Sequence, residues 1–356
     1  MATNHLYDAV IIAVAFQGLL VVLLFVFLMV QRTLATLKAW HVKKREAVLL
    51  PLVERVLIEG PEATGDLEAA VRRNDKPILR SILIELTLSL RGEEAERAAT
   101  LADEIGLVRT EARRLRSFRA QVRANAAKNL ATWRVKSSLA ALVEAAEKER
   151  DVGVRTPMVW AIGEVGGTDS VPYLLRSLEA TDAGLVKRTS GVLARSGREA
   201  VGEIVEYVRR SQVATARRAA LDALRLIGDL EANDLLLELA DDPDPEIRIR
   251  TIKAAATIPD PRFQEVFEQR LRDPCWEVRC QAARGLGTLG NLRSAGHLRE
   301  ALGDSSWWVR FNAALALQRL GAEGRGALRD ALDDQRPPAR DIASHILSRY
   351  GELEVA

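Results

Sequence analysis

Three carboxylates in the second half of the chain, Asp241, Asp242 and Asp244, have the residue types and spacing of a metal site. Oxygen ligands of this kind suit hard cations such as Ca²⁺ and Mg²⁺. Aspartate recurs in an equivalent place at Asp273 and Asp304, each time before an alanine-rich segment. An aspartate before a helix can accept hydrogen bonds from backbone N–H groups that lack a partner. The recurrence therefore predicts helix caps, and we expect no metal site.

Cysteine and histidine, the usual nucleophiles and soft metal ligands, are few and scattered. Cys275 and Cys280 lie five positions apart, a poor separation for a bridge on one helix, and the four histidines form no ligand pattern with them. The sequence predicts two reduced thiols. His297 and His345 stand alone, which is typical of surface or packing residues rather than of catalytic groups.

A glycine-rich stretch at residues 163–167 has some likeness to a phosphate-binding loop. Such loops follow a strand, whereas these residues lie in a predicted turn between two helices. We therefore predict that the protein is not an enzyme and that it holds no cofactor.

A pattern of about 31 residues organises the second half of the chain. Residues 242–248, 273–279 and 304–310 each begin with aspartate and end with arginine, and these arginines stand 31 positions apart. A fixed period of this order indicates a stacked array, in which no repeat can bury its apolar face alone. In the third copy, residues 308–320 have apolar residues at helical spacing, and Gly321 is suited to end that helix in the left-handed conformation. A second apolar helix follows, so each repeat is predicted as two helices.

Three features of these copies resemble HEAT repeats. They are the opening, as at Asp273 and Pro274, the small-residue first helix that ends in leucine and glycine, as at Leu320 and Gly321, and the apolar second helix. More narrowly, they resemble the short bacterial variety also found in phycobilisome lyases. The resemblance implies an all-α fold, an α-solenoid of about eight HEAT-like helical hairpins over residues 109–350. It leaves the function open, because such repeats serve many unrelated tasks.

One basic position recurs at steps of 30 to 32 residues. The series is Arg123, Arg155, Lys187, Arg217, Arg248, Arg279, Arg310 and Arg340. In the repeats that this chain resembles, the position ties neighbouring repeats together by hydrogen bonds to aspartate or carbonyl groups of adjacent turns. The resemblance therefore implies a structural ladder, and the alternative is a row of cations that binds anions.

The N-terminal segment predicts one transmembrane helix. Residues 9–30 contain no charged side chain, and 22 helical residues are enough to cross about 30 Å of hydrocarbon. A cleaved signal peptide has a basic start and a shorter apolar run, whereas residues 1–8 contain no lysine or arginine. We therefore predict an uncleaved anchor with a short extracytoplasmic tail, residues 1–8.

Residues 31–45 are predicted as a basic juxtamembrane linker. They contain five cations and no acid, namely Arg32, Lys38, Lys43, Lys44 and Arg45. The positive-inside rule places this side, and the repeats after it, in the cytoplasm of a bacterial cell. The same cations either attract anionic lipid or only set the topology.

Residues 46–108 are predicted as an irregular helical cap, because an array must cover its terminal face. Residues 78–90 are nearly all apolar but too few to span a membrane, so we expect a buried helix there. This block has 13 acidic residues against 7 basic ones. A tail of residues 351–356 follows the array.

A dense basic run follows the cap. It consists of Arg109, Arg113, Arg114, Arg116 and Arg119, with the ladder residue Arg123 after them. Three interpretations are open: pairing with the acidic block, docking to an anionic partner or lipid headgroups, and nucleic-acid binding. Residues 124–356 carry a net charge of −1, a poor surface for a phosphate backbone, so no nucleic acid is expected.

Tryptophans at the repeat openings predict an interaction surface. Trp276 and Trp307 each lie three positions before a ladder arginine, and Trp308 adjoins the second. Partly exposed aromatic rings are typical anchors of protein interfaces. We hypothesise that these rings, with Arg310 and Phe311, bind a protein partner; the alternative is that each ring packs over the neighbouring turn.

Together these features predict a single-pass scaffold or adaptor of the bacterial inner membrane that holds or regulates a membrane-associated partner. Envelope or polysaccharide biogenesis and signalling would suit it. The first alternative, implied by the resemblance to phycobilisome lyases, is a cofactor or pigment chaperone or lyase. The second is a nucleic-acid-binding HEAT module.

Overall fold

A computed structural model of the chain describes residues 2–72 and 74–350, with side chains from residue 17 onward except at positions 61, 73 and 350. All regular elements in this part are helices, which confirms the predicted all-α fold. Residues 351–356 and Met1 lie outside the described residues. The chain divides into an N-terminal unit, Met1–Glu111 with Thr132–Val135, and a C-terminal unit, Ala112–Ala131 with Lys136–Ala356.

The N-terminal unit begins with a single long helix, α1, at Ala2–Glu59. At 1.5 Å per residue its 58 residues extend for about 87 Å. It contains both the predicted span, residues 9–30, and residues 31–45, so the segment predicted as a linker is a continuous helix. Large apolar side chains from Leu19 to Val30 are 51 to 62% exposed, whereas Leu49 and Val53 are fully buried.

Shorter helices complete the N-terminal unit: α2 at Thr64–Ala70, α3 at Lys76–Ser89, α4 at Glu93–Glu104 and the beginning of α5, Leu107–Arg114. Helix α3 packs against α1 and α4, and it buries Leu79, Ile82 and Leu83. One face of α3 therefore contributes to the core of this unit, whereas its Leu88 is 72% exposed, so the expected buried helix is buried on one face alone. Among the described residues, one helix, from Gln17 to Glu59, is long and apolar enough to cross a membrane.

An ion pair fixes α1 to the start of α3. The Arg45 guanidinium donates to both oxygens of Asp75, with 3.2 Å from Nε to Oδ1, and its Nη2 donates to the Ala70 carbonyl at 2.9 Å. Asp75 is only 3% exposed, and a buried carboxylate needs a partner. Arg45, one of the five cations of the basic segment, is therefore engaged in the fold of the N-terminal unit.

The C-terminal unit is an array of helical hairpins, the repeats. Each repeat consists of a first helix and a second helix joined by a short turn. The helices are α6 Ala120–Trp133, α7 Leu139–Lys148, α8 Val152–Gly166, α9 Val171–Ser177, α10 Ala183–Ala194, α11 Val201–Arg210, α12 Ala214–Ile227, α13 Asn233–Leu239, α14 Pro245–Ala255, α15 Gln264–Arg270, α16 Trp276–Leu289, α17 Ala295–Ala301, α18 Trp307–Arg319, α19 Gly321–Asp330 and α20 Pro337–Tyr350. From α8 to α20, each first helix packs against the first helix of the next repeat. Within the described residues there are seven pairs, and α20 stands where an eighth first helix would.

Small residues allow the first helices to approach closely. A Cβ atom built on Gly287 of α16 would lie 2.8 Å from the Cβ of Ala316 in α18, and one on Gly285 would lie 2.6 Å from the Phe267 ring. Neither distance is compatible with normal packing, so only glycine fits at these two positions. The alanine- and glycine-rich composition of the repeats is thus a packing requirement.

The first helices end where the glycine pattern predicts. Gly228 and Gly290 follow α12 and α16 in the left-handed conformation, and Gly321 has a φ of 74° just after α18. Gly167 likewise follows α8 with a positive φ. The glycine-rich residues 163–167 therefore form a helix end in the array.

Candidate functional site

An aromatic cluster lies at the start of α18. The Trp307 ring stacks on the Phe311 ring, with centroids 4.9 Å apart and planes 14° apart, and it meets the Trp308 ring edge-on at 4.8 Å. Trp307 and Phe311 are four positions apart, so they lie above one another on one helix face. Trp307 is 45% and Trp308 54% exposed. We call Trp307, Trp308 and Phe311 the aromatic ridge.

The ring of Trp276 does not contact the rings of this aromatic ridge. Trp276 is the first residue of α16 and is 40% exposed, but among the described side chains its ring pairs with no other aromatic ring. The structure thus brings together three of the four predicted aromatic residues.

Ladder arginines join successive repeats through a forked contact. The Arg248 Nε and Nη2 donate to the two oxygens of Asp273 at 2.9 and 3.0 Å. The Arg248 Nη1 donates to the carbonyls of Asp242 and Pro243 at 2.9 and 3.3 Å. One guanidinium therefore holds its own repeat's turn with one end and the next repeat's aspartate with the other.

A ladder arginine also pairs with an acid at three further positions. Arg123 with Glu149 and Arg279 with Asp304 form the same fork. Arg217 reaches Asp242 through Nη2 alone, because its Nε donates to the Val208 carbonyl. Within the described residues, Arg155 and Lys187 have no acidic partner. Arg340 keeps only the carbonyl contacts, to Asp334 and Gln335. The acid lies 25 positions after the arginine in three of the four pairs, a regular offset that could have identified these partners from sequence.

The repeated aspartates act differently from what was predicted. Helices α16 and α18 are preceded by Cys275 and Ser306, and neither side chain caps its helix. Asp273 and Asp304 lie two positions earlier and accept from the backbone N–H of those same residues. They are too early to cap, so the expectation of helix caps was wrong for them; they close tight turns and hold the arginine of the preceding repeat. Asp244 does cap its helix, α14.

The aspartates that pair with ladder arginines at α16 and α18, Asp273 and Asp304, have lowered pKa values. Burial raises the pKa of Asp273, but hydrogen bonds from Arg248 and the Cys275 backbone outweigh it and hold that pKa below its ordinary value. The same holds for Asp304. Burial raises its pKa, but hydrogen bonds from Arg279 and the Ser306 backbone outweigh burial and lower that pKa. Both carboxylates are therefore ionised throughout the neutral range.

The ladder is open at Arg310. Its Nη1 donates to the carbonyls of Asp304 and Ser305 at 2.7 and 3.1 Å, as in the closed positions. Its Nε is buried and has no hydrogen-bond partner. The equivalent acid of the next repeat, Asp334, instead accepts from Nε and Nη2 of Arg336 at 2.9 and 2.8 Å.

A cavity of about 380 Å³ lies beside this open position. Its lining consists of Trp307, Arg310, Pro338, Asp341, Ile342 and His345. Four of these residues belong to the first three turns of α20, and sequence patterns did not single out Asp341 or place His345 in a cavity. Trp307 and Arg310, which were both predicted to bind a partner, therefore line the same cavity.

The predicted basic run is only partly solvated. Arg116 pairs with Glu144 at 2.9 Å, and Arg123 pairs with Glu149, so these two cations bind acids of the array rather than the acidic block that precedes them. The Arg119 guanidinium lies 5.2 Å from the ring of Phe118, which is highly exposed. Arg109 and Arg113 are exposed, and Arg114 is half-buried.

A second cavity, of about 450 Å³, adjoins this region. Its charged lining residues are Arg116, Arg123, Glu144, Lys148, Glu149 and Arg150. Four of these residues are basic and two are acidic. Glu144 and Glu149 both have lowered pKa values because of hydrogen bonds from Lys148 and Arg123, respectively.

The thiols are free, as predicted. Burial raises the pKa of both Cys275 and Cys280, and the Cys275 thiol donates to Glu277 Oε2 at 2.8 Å. Thiols with a raised pKa are poor nucleophiles. Among the side chains that the structure describes, no group of three or more His, Cys, Asp or Glu residues is placed to hold a metal ion.

Comparisons with known proteins place the chain in a family. A family model described as HEAT repeats matches residues 110–193, 203–274 and 264–348. Importin beta shares 12% sequence identity with a TM-score of 0.50, covering 80% of this chain and 50% of that chain. The complex of CpcE and CpcF of phycocyanin lyase from Nostoc sp. PCC7120 shares 20% identity with a TM-score of 0.32, covering 68% and 93% of the two chains.

An engineered protein shares 19% identity with a TM-score of 0.28, covering 68% of this chain and 96% of that chain. No curated protein matches the chain. At these identities the likeness to importin beta shows a common solenoid fold alone. The repeat model, in contrast, covers well over half of the sequence, and with the paired helices and the arginine ladder it shows that this protein belongs to the HEAT repeat family.

Proposed function

We propose that this protein is a membrane-anchored HEAT-repeat scaffold that binds a protein partner at the cytoplasmic face of a bacterial inner membrane. The observation that carries the proposal is the bare apolar surface of α1. None of the apolar window of that helix is buried by the rest of the described chain. Apolar surface exposed to water costs roughly 25 cal/mol per Å², and a bilayer would cover it.

Residues at the end of the apolar run support the placement of a membrane interface there. Trp40 is exposed, its ring meets the His41 ring at 5.0 Å, and the Lys44 Nζ lies 5.2 Å from the Trp40 ring. Tryptophan and lysine favour the headgroup region. Arg32, Lys38 and Lys43 are exposed on the same helix and favour the cytoplasmic side.

The C-terminal array supplies the binding surface, and its role in this proposal is not catalytic. An anchored scaffold raises the effective concentration of any membrane-bound partner without a new contact. The aromatic ridge has the partly exposed rings that anchor protein interfaces. Envelope or polysaccharide biogenesis and signalling are the processes in which such a scaffold would serve.

Membrane insertion is tested by alkaline carbonate extraction of bacterial membranes. Replacement of Val21 and Leu24 by arginine puts two charges into the apolar run, at a cost of about 5 kcal/mol for insertion. We expect the wild-type chain in the membrane pellet and much of this variant in the supernatant. The control carries arginine at Leu226 and Leu230, which are equally exposed in the array, and should stay in the pellet. A wild-type chain that extracts fully would refute the anchor.

Partner binding is tested by crosslinking in native membranes, followed by mass spectrometry of the captured proteins. The double variant W307A/W308A should lose the adducts that the wild-type chain forms. The matched control, L226A/L230A, removes two exposed apolar side chains elsewhere in the array and should keep them. Identical adducts in all three proteins would exclude the ridge as the binding surface.

The second candidate function is a cofactor or pigment carrier of the lyase type. It is supported by the charged cavity of about 450 Å³ near Arg116, Glu144 and Lys148, which is of cofactor size. The test is gel filtration of the full chain in detergent after incubation with a bilin. This function requires coelution of pigment and protein, and a loss of that coelution in the variant R116A/K148A.

A further inference from the structure

We infer that Arg310 and Trp307 form a binding site for a carboxylate, and that its ligand is an Asp or Glu side chain in an apolar segment of a protein partner. The inference rests on the partner-binding role proposed above, and it does not depend on the membrane anchor. It is carried by the difference between one open position of the ladder and the closed positions before it.

The closed positions show what the arginine fork binds. In Arg248 and Arg279, the Nε and Nη2 edge holds both oxygens of an aspartate, while Nη1 donates to two carbonyls of its own turn. Arg310 makes the same two carbonyl contacts, so its guanidinium is held by the same turn. Among the described residues, those two contacts are all of its hydrogen bonds. Its Nε and Nη2 therefore lack the carboxylate that the same atoms bind in Arg248 and Arg279.

The acid that would close this position is held by another residue. Asp334 lies six positions before Arg340, as Asp304 lies six before Arg310. Its carboxylate accepts from the side chain and the backbone N–H of Arg336, which lowers the pKa of Asp334 strongly. The Arg336 Nη1 also donates to the Glu300 carbonyl at 3.0 Å. These contacts keep Asp334 bound to its own turn.

Among the ladder arginines in the described part of the chain, Arg155 also has a buried Nε without a partner, but Arg310 alone combines that feature with the aromatic ridge and the 380 Å³ cavity. Trp307 is in the lining of that cavity and is partly exposed, so it offers an apolar wall beside the cation. An acidic residue next to an apolar one would satisfy both groups: the carboxylate on the fork and the apolar side chain on the ring.

The lining favours a singly charged carboxylate over a phosphate group. Arg310 provides one fork, and Asp341 on α20 also lines the cavity. A phosphate carries more charge and more acceptor oxygens than one fork can satisfy, and Asp341 would repel it more strongly. The same fork geometry already holds aspartate in the preceding repeats. A protein carboxylate is therefore the ligand that the site fits.

The experiment uses the full chain in detergent, immobilised, with a random-peptide phage library as the probe. Peptides are selected on the wild-type chain and then sorted by their loss of binding to R310Q. We expect the Arg310-dependent peptides to contain Asp or Glu next to an apolar residue. Replacement of that acid by Asn or Gln in the synthetic peptide should weaken binding about tenfold, and this change leaves the protein untouched. Arg310-dependent peptides without an acid would overturn the inference.

Three further variants test the geometry by fluorescence anisotropy with the selected peptide. R310K keeps the charge but loses the fork, and should weaken binding several-fold. D341N removes a repelling charge and should tighten binding about two- to threefold. R293Q, at an exposed arginine elsewhere in the array, should bind like the wild type. Equal weakening by D341N and R310K would indicate damage to the fold and would contradict the inference.

The outcomes separate this inference from the proposed partner-binding function. Peptides that need Trp307 and Trp308 but bind R310Q normally would leave the ridge in place and refute the carboxylate site. A selection that returns no peptide dependent on Trp307, Trp308 or Arg310 would count against both.

Discussion

Arg279 and Asp304 are 25 positions apart in sequence and bound to each other by two parallel hydrogen bonds, 2.7 Å from Nε to Oδ2 and 2.9 Å from Nη2 to Oδ1. Both side chains are largely buried, at 14 and 12% exposed. The pair links the first turn of α16 to the turn before α18. Because the charges are mostly shielded from water, the loss of one partner leaves the other uncompensated.

R279A should therefore destabilise the array. We expect the free energy of unfolding to fall by about 2 kcal/mol, the range for a hydrogen bond between charged groups that are partly buried. Urea unfolding of the full chain in detergent measures it. R272A breaks an ion pair with Glu300 that is far more exposed and should cost less than about 0.5 kcal/mol. Equal losses in the two variants would argue against a structural ladder.

The lowered pKa values of Asp273 and Asp304 predict how stability depends on pH. In the unfolded chain these carboxyls bind protons near their ordinary pKa of about 3.9, whereas in the fold they bind them only at lower pH. Their contribution is therefore complete above about pH 5 and is lost as the pH falls through the lower, folded values.

Urea midpoints measured between pH 7 and pH 3 test this dependence. D273N/D304N should be less stable than the wild type at pH 7 and should lose less stability on acidification. D234N changes a carboxylate that is highly exposed and should leave the slope unchanged. A wild-type curve that is flat below pH 4 would contradict the assignment.

Close packing of α16 on α18 makes a prediction for Gly287. G287A places a methyl group 2.8 Å from the Ala316 Cβ, so the two helices must move apart, at a cost of about 1 to 3 kcal/mol. G296A is the control, because Gly296 is exposed in α17 and its added Cβ meets nothing within 4 Å. That change should be neutral or slightly stabilising, since alanine favours a helix. Thermal unfolding of the two variants distinguishes these effects.

The fold was predictable because the repeats obey one period. The recurring arginine, the glycines after the first helices and the apolar spacing each predict the same hairpin, and the structure follows them. The continuous helix over residues 31–45 was not predicted, because its charges suggested a linker. However, no glycine or proline occurs between Gly18 and Pro51, and that absence of helix breakers was the useful signal.

The candidate site was only partly predictable, because its features break the period. Trp307, Arg310 and Phe311 follow from their place in the repeat. The open edge of Arg310 arises from Arg336, which has no counterpart in the preceding repeats. To predict the open edge of Arg310, one must know which side chain binds Asp334. The sequence does not give that contact, and the three-dimensional structure does.

The contact between Arg45 and Asp75 gives the last prediction, which concerns where the exposed part of α1 ends and the folded N-terminal unit begins. Asp75 is buried, and the hydrogen bond from Arg45 holds the pKa of Asp75 below its ordinary value. R45A should therefore open the start of α3, with faster hydrogen exchange in residues 64–89, and lower the stability of the N-terminal unit, because it leaves the buried Asp75 carboxylate without its cation. K44A, whose cation lies over the exposed Trp40 ring, should change the exchange of those residues little, because it makes no contact with a buried acid. If both variants exchanged like the wild type, Arg45 would belong with the solvent-exposed cations of α1, and the folded unit would begin later in the chain.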